Sequence, residues 1–260
     1  MGEHLFKYNF DENKINYIIN NEPESFMGKI LIEKKKNNES IYIYHNIYRL
    51  GDLVLINNID VEQTKMLLDI YPDSIASKFI LEKTNNNINY YYENPSIDIS
   101  NETIKIISNI ALKYAEDNIN LLPIDINDSV IIHLRLGDVI AGNVSHEKAK
   151  RPLETNYIKN ILKMNNDKKY IIGKCHYDFS VFNDYDKCNK LSQEYLNDVI
   201  KELNAIHLNS DNADIDLCCG IKCKLFVQGR GNYSKLIKLI RNYLNLETIE
   251  CEEALKIDIK

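Results

Sequence analysis

Between residues 129 and 244 short apolar runs alternate with helical repeats, and this alternation restricts the possible folds more than any other feature of the chain. "SVIIHL" (129–134) is a continuous apolar run, the pattern of a strand buried on both faces. "ETNYIKNILKM" (154–164) has helical spacing, and "KKYIIG" (168–173) reads as a second strand. "SQEYLNDVIKELN" (192–204) sets Leu196, Val199, Ile200 and Leu203 on one helical face. "AIHLNS" (205–210) reads as a third strand and "ADIDLCCGIK" (213–222) as a short helix with acids in its first turn. "KLFVQG" (224–229) follows as a fourth strand, then "SKLIKLIRNYL" (234–244) as a helix with Ser234 as its expected N-cap. Such alternation predicts the α/β class, with a parallel sheet and helices on its faces.

The first half is less regular. "MGKILIEK" (27–34) and "SIYIYH" (40–45) have strand character, while "VEQTKMLLDIY" (61–71) and "NETIKIISNIALKYAED" (101–117) have helical character. The polar tract 82–96 reads as a loop. These segments predict a second, smaller α/β unit. Pro123 in "NLLPIDIND" (120–128) marks the expected boundary, giving units 1–122 and 123–260.

In a parallel sheet, ligands bind outside the carboxyl ends of the strands. Those ends read "HLRLGD", "GKCH", "LNSDNAD" and "QGRGNYS". One edge therefore collects His133, Arg135, Gly137, Asp138, Ser210, Asp211, Gly229, Gly231, Asn232, Tyr233 and Ser234. On an extended strand His133 and Arg135 point the same way. A planar guanidinium beside an imidazole suits phosphate. Glycines at 229 and 231 would let backbone approach an anion, and the helix after them would supply its N-terminal amides. Two phosphate-competent elements on one edge suggest a diphosphate, as in a nucleotide-sugar. Plainer roles exist for the same residues. His133 can be a hydrogen-bonded core histidine, Arg135 and Asp138 can pair with each other, and Asp214 and Asp216 can be helix-start acids.

Other function classes fit less well. A net charge of −6 argues against a broad nucleic-acid surface. No segment approaches the roughly 20 apolar residues of a membrane span. The opening MGEHLFKYNFDEN lacks the form of a signal peptide, so a cytoplasmic location is expected. The six cysteines contain no CxxC pair, and Cys218, Cys219 and Cys223 have the wrong spacing for the common zinc modules. Buried reduced thiols are expected instead. Neither G-x-G-x-x-G nor Tyr-x-x-x-Lys follows a first strand, which disfavours a dehydrogenase or methyltransferase. The strings Asp184-Tyr-Asp186 and Asp214-Ile-Asp216 do not sit directly at strand ends, so no metal and no other cofactor is expected.

"HLRLGD" resembles the H-x-R-R-G-D signature of GDP-fucose-dependent fucosyltransferases, enzymes of the GT-B fold with two Rossmann-like units facing across a cleft. "KLFVQGRGNYSKLI" is similar to the strand, small-residue loop and helix of their donor unit. The resemblance implies that Arg135 holds the donor diphosphate, with His133 beside it and Gly229, Gly231 and Ser234 in the supporting loop. "YRLGDLVL" resembles the L-G-D turn of the acceptor unit, through Leu50, Gly51 and Asp52. The two RLGD strings, 49–52 and 135–138, would then face each other across one cleft. Leu136 replaces the signature's second arginine, and Lys224 stands where some members carry an acid that reads the base. The implied activity is metal-independent transfer of a sugar, fucose by preference, from a nucleotide diphosphate donor, GDP-linked by preference, to a glycan or glycoconjugate. Arg135 would stabilise the departing diphosphate, and Asp52 or Asp138 would accept the acceptor's proton. The alternative is a catalytically inert nucleotide- or phosphosugar-binding protein.

Overall fold

The computed structural model describes residues 3–9, 42–56, 67–69, 71–84, 100–137, 153–176, 185–210 and 212–250, with isolated positions at 16, 19–21, 23, 32, 35, 36 and 140. In chain order the elements are β1 (Glu3–Asn9), β2 (Tyr42–Arg49), α1 (Leu50–Ile56), α2 (Ile75–Lys83) and α3 (Asn101–Asp117). Then come β3 (Val130–His133), β4 (Leu136–Gly137), α4 (Thr155–Ile161), β5 (Lys169–Ile172), β6 (Cys175–His176) and α5 (Tyr185–Leu203). The last are β7 (Ile206–His207), α6 (Ala213–Lys222), β8 (Leu225–Val227), α7 (Asn232–Tyr243) and β9 (Thr248–Ile249).

The expected parallel sheet forms, in the order β7-β5-β3-β8-β9, with every neighbouring pair parallel. All four residues of β3 are buried, as a continuous apolar run in a central strand requires. Val130, Ile132, Ile171 and Val227 meet α4 and α5 through Tyr157, Ile158, Leu196 and Val199. Ile131, Tyr170 and Phe226 face the other way, into Leu217, Cys218, Leu236 and Ile237 of α6 and α7. Crossovers leave β3 toward β5 and β7, then return through α6 to β8 on β3's other side. This order is compatible with a Rossmann-like unit, and its switch point lies between β3 and β8.

Several boundaries differ from the expectation. The run 205–210 contracts to β7, because Asn204 and Asn209 take positive φ (50° and 45°) and stop the strand at both ends. Helix α5 begins at Tyr185 rather than near 192. Helix α7 begins at Asn232 with Gly231 as its N-cap, which corrects the assignment of that role to Ser234. The φ of Gly231 is 99°, open to glycine and strained for other residues, so the helix starts there. Strand β9 is additional.

The second parallel sheet expected before residue 123 does not form among the described residues: β1 and β2 pair antiparallel. Strand β2 contains most of the run 40–45, and α3 coincides with 101–117. Of 61–71, residues 67–69 are helical and 61–66 and 70 lie outside the described residues. Of 27–34 only Ile32 is described, and it is helical. In the tract 82–96, Glu82 and Lys83 end α2, and 85–96 lie outside the described residues.

Helices α1, α2 and α3 form a further layer over α6 and α7. One apolar cluster joins Leu50, Leu53, Phe79, Ile107 and Ala111 to Leu217, Leu236 and Ile237, across the position 122/123 where two units were expected to divide. The tightest junction is Gly51. A Cβ there would lie 2.4 Å from both the Asn232 carbonyl carbon and the Tyr233 nitrogen, which are backbone atoms without room to yield. Gly51→Ala is expected to destabilise the fold by about 1–3 kcal/mol through overpacking. A denaturation midpoint indistinguishable from wild type would show that α1 is not seated on α7. Among the described residues no helix is long and apolar enough to cross a membrane.

Candidate functional site

Ile132 of β3 pairs with Val227 of β8, so the two strands end side by side at the switch point. Beyond Val227 the chain crosses the end of β3. A Cβ on Gly229 would lie 2.2 Å from the His133 carbonyl oxygen and 2.4 Å from His133 Nδ1. Only glycine permits that approach. Two residues on, a Cβ at Gly231 would lie 3.4 Å from Arg135 Nη1. The guanidinium of Arg135 thus reaches the N-cap of α7. That cap has no side-chain hydrogen bond. First-turn amides of a helix lack intrahelical acceptors and carry the positive end of its dipole. Arg135 and this turn together form a site fit for an anion.

Buried polar atoms lie against it. Ser234, in the first turn of α7, is fully buried, and its Oγ has no hydrogen-bond partner among the described residues. His133 is 1% exposed, and neither ring nitrogen has a partner among them. Burial holds its pKa well below the ordinary imidazole value, and the nearby charge of Arg135 lowers it further. His133 is therefore neutral at pH 7, able to give one hydrogen bond and accept another. The reading of it as a satisfied core histidine does not hold among the described residues. Tyr233 stacks obliquely against it, ring centroids 5.7 Å apart. The Tyr233 hydroxyl donates to the Ala213 carbonyl, tying the start of α7 to the start of α6.

The remaining expected residues divide. Gly137 takes φ 85°, and its amide donates to Ser192 Oγ at 3.0 Å, fixing the turn after Arg135 to α5. Leu136 packs into the apolar cluster beneath α4 and α5, away from the α6 and α7 side. Ser210 Oγ donates to the Asn212 carbonyl and accepts from the Asn212 amide, each at 3.0 Å, so its hydroxyl serves a local turn. Asp138 and Asp211 lie outside the described residues, as does Asp184. The backbone of Asp52 is in α1, next to Gly51, and its side chain lies outside what is described. Of the two RLGD strings, Gly51 from one and Arg135 from the other each lie against the start of α7. Gly51 touches the first turn of α7 directly, without an intervening gap, and Arg135 reaches the N-cap of the same helix.

The acids of α6 are more than helix-start residues. The helix is buried from Ala213 to Ile221, so both carboxylates are enclosed. Asp214 Oδ2 accepts the Ile75 amide at 3.0 Å and thereby caps α2. The Asp216 carboxylate accepts the Gly173 amide at the end of β5, and burial raises its pKa to about 7, against the pull of Lys174. A raised carboxyl pKa stabilises the fold fully only below the unfolded value, here 3.8, and the contribution disappears as pH rises through about 7. Asp216→Asn cannot ionise. Relative to wild type it is expected to gain stability across that window, by up to about 1.4 kcal/mol per pH unit. Thermal melts of both proteins from pH 4 to 8 read the difference, and a difference flat with pH would refute the linkage.

Burial raises the Cys219 thiol to about 12 and Cys223 to about 11, and pushes Cys218 up as well. Without a metal these free, buried thiols are protonated at neutral pH and poor nucleophiles. Among the described residues no three or more His, Cys, Asp or Glu side chains converge as a metal site. Lys224 precedes β8, at the sheet's opposite edge, where its Nζ pairs with Asp167 at 2.8 Å. It does not read a base at the candidate site.

At this edge Arg230 went unnoticed in the sequence, and Asp216 was read there only as a helix-start acid. Arg230 stands between the two glycines that meet β3, and flanking glycines at a strand end were the available signal. Asp216 could have been found because a helix apolar on every face must bury its acids too. Compared with models of known protein families and with curated protein sequences, the chain matches none of them.

Proposed function

We propose that the chain is a glycosyltransferase that takes its sugar, fucose by preference, from a GDP-linked donor without a metal. The observation that carries this reading is Arg135 set against the uncapped N-terminus of α7 at the β3/β8 switch point. Residues 123–260 would be the donor unit of a GT-B-like enzyme, and residues 1–122 would supply the acceptor side. Breaking the glycosidic bond puts negative charge on the diphosphate. Arg135 and the first-turn amides of α7 are oriented before that charge develops, so they stabilise the transition state more than the ground state. Neutral His133 and Ser234 add hydrogen bonds at the same edge. Asp52, beside the Gly51 junction, or Asp138, after Gly137, accepts the acceptor's proton.

The test is a thermal-shift screen of GDP-, UDP-, ADP- and dTDP-sugars, followed by donor turnover with EDTA present. A shift with GDP-sugars and turnover that survives EDTA are expected. No shift with any nucleotide-sugar would remove the reading. A shift without turnover on any glycan acceptor would leave a binding protein in its place.

A further inference from the structure

All strands of the five-stranded sheet run parallel, so all begin at one edge, opposite the end where Arg135 lies. The segments leading into them are bonded to one another there. Asp125, ahead of β3, pairs with Lys168 at 3.0 Å and accepts the Tyr170 hydroxyl of β5 at 2.6 Å. Lys224, ahead of β8, pairs with Asp167, ahead of β5. Arg241 joins the approaches to β8 and β9 by donating to the carbonyls of Lys224 and Glu247. Ile206 opens β7 opposite Tyr170. These bonds make the five approaches one surface.

That surface is unusually apolar. Among the described residues eight large hydrophobic side chains are exposed, and five of them stand here: Ile124, Met164, Ile206, Tyr243 and Leu246. Ile124 is fully exposed and Met164 is 91% exposed. Single exposed apolar side chains are ordinary, whereas a concentration of them at one end marks a surface that meets a partner. Charge selects that partner. The approaches 118–129, 162–168, 204–205, 223–224 and 244–247 hold Lys163, Lys168 and Lys224 against Asp125, Asp128, Asp167 and Glu247. The ammonium of Lys169, the first residue of β5, turns back onto the Asn165 and Asp167 carbonyls and joins them. Four cations thus face four anions, and the surface is neutral on a chain of net charge −6. A strongly acidic or basic partner finds no net charge to answer here. A second copy offers the same mixture turned around, a carboxylate for each lysine, and brings no excess negative charge to the contact.

We propose that two copies of this chain associate through these edges about a two-fold axis, burying Ile124 and Met164 of each. The Arg135 ends of the two sheets then face away from each other and remain outside the contact. The proposal does not depend on what binds beside Arg135.

Sedimentation equilibrium of the full chain across the micromolar range tests it. Wild type is expected to reach twice the 30.3 kDa chain mass and to dissociate on dilution. Ile124→Lys combined with Met164→Lys should weaken association by about a hundredfold or more, because the pair would bury ammonium groups without partners. Far-UV circular dichroism should stay that of wild type, since both side chains are exposed. Ile124→Ser combined with Met164→Ser removes apolar surface without adding charge. It should weaken association in the same direction by a smaller factor, and it decides the matter if the lysine protein does not fold. A wild-type chain that stays at monomer mass at every concentration overturns the proposal and leaves the edge to a different protein. A dimer that the double variants leave unchanged overturns it too, since its contact would lie elsewhere.

Discussion

Arg135→Ala is expected to weaken donor binding more than any other single substitution at the site, and to slow transfer further. A charge-assisted hydrogen bond to phosphate contributes about 1.5–3 kcal/mol, or roughly 10- to 150-fold in affinity. The loss should lie at the high end, because Arg135 also acts with the α7 dipole. Charge on the leaving diphosphate grows as the bond breaks, so turnover should drop by a larger factor than binding. Arg135→Lys should recover only part of each, since an ammonium cannot present two parallel donors. The fold should tolerate the change, as Arg135 lies in the gap between β3 and β4 and is partly exposed. A folded Arg135→Ala protein with wild-type nucleotide affinity would end the case for this site.

Replacing Arg241 should have the largest effect on stability. The side chain is fully buried in α7. Its Nη1 donates to the carbonyls of Gly220 at 3.0 Å and Cys223 at 2.8 Å, and Nη2 donates to Lys224 at 3.1 Å. Nε reaches the Glu247 carbonyl at 3.2 Å and Thr248 Oγ1 at 3.1 Å. Burial lowers its pKa from the ordinary guanidinium value, yet it remains a cation at neutral pH, answered by the negative end of α6 and by carbonyl dipoles. Arg241→Ala strands those carbonyls and opens a cavity as well. The expected loss is about 3–5 kcal/mol, a large share of the roughly 5–15 kcal/mol that holds a domain together. Urea midpoints read it, with Arg241→Lys as an intermediate in case the alanine protein does not fold. A loss below about 0.5 kcal/mol, the size of an ordinary surface change, would contradict this account.

The sheet was legible because apolar runs and helical repeats carry their own period. β3, β5 and β8, and the helices α3, α4, α6 and α7, lie where local pattern puts them, to within a few residues. β9 was not legible, since Thr248–Ile249 is two residues long and exists only through its pairing with β8. Arg241 reads locally as a basic residue in a last turn, open to solvent. The contrary signal was its spacing: it lies four residues after Ile237 and eight after Tyr233, on the edge of the buried stripe. At the site, the sequence indicated His133, Arg135, Gly229 and Gly231 through their place at strand ends. It could not show that Tyr233 and Ser210 would spend their hydroxyls on Ala213 and Asn212, because those bonds depend on how loops close. Nor could it show the layer of α1, α2 and α3 over α6 and α7, which joins residues more than a hundred positions apart.

That layer bears on how the chain is born. A ribosome releases Leu50, Phe79 and Ile107 long before Leu217, Leu236 and Ile237, the residues that cover them. While synthesis proceeds, the amphipathic helices of the first half have nowhere to bury their apolar faces. The β3/β8 edge, with Gly51 seated on α7, cannot be completed until residue 233 has emerged. Contacts this distant in sequence slow folding and keep sticky surface exposed to neighbours. The nascent chain should therefore lean on chaperones, and the emergence of residues 232–233, rather than the making of any early segment, should set when the layers first close.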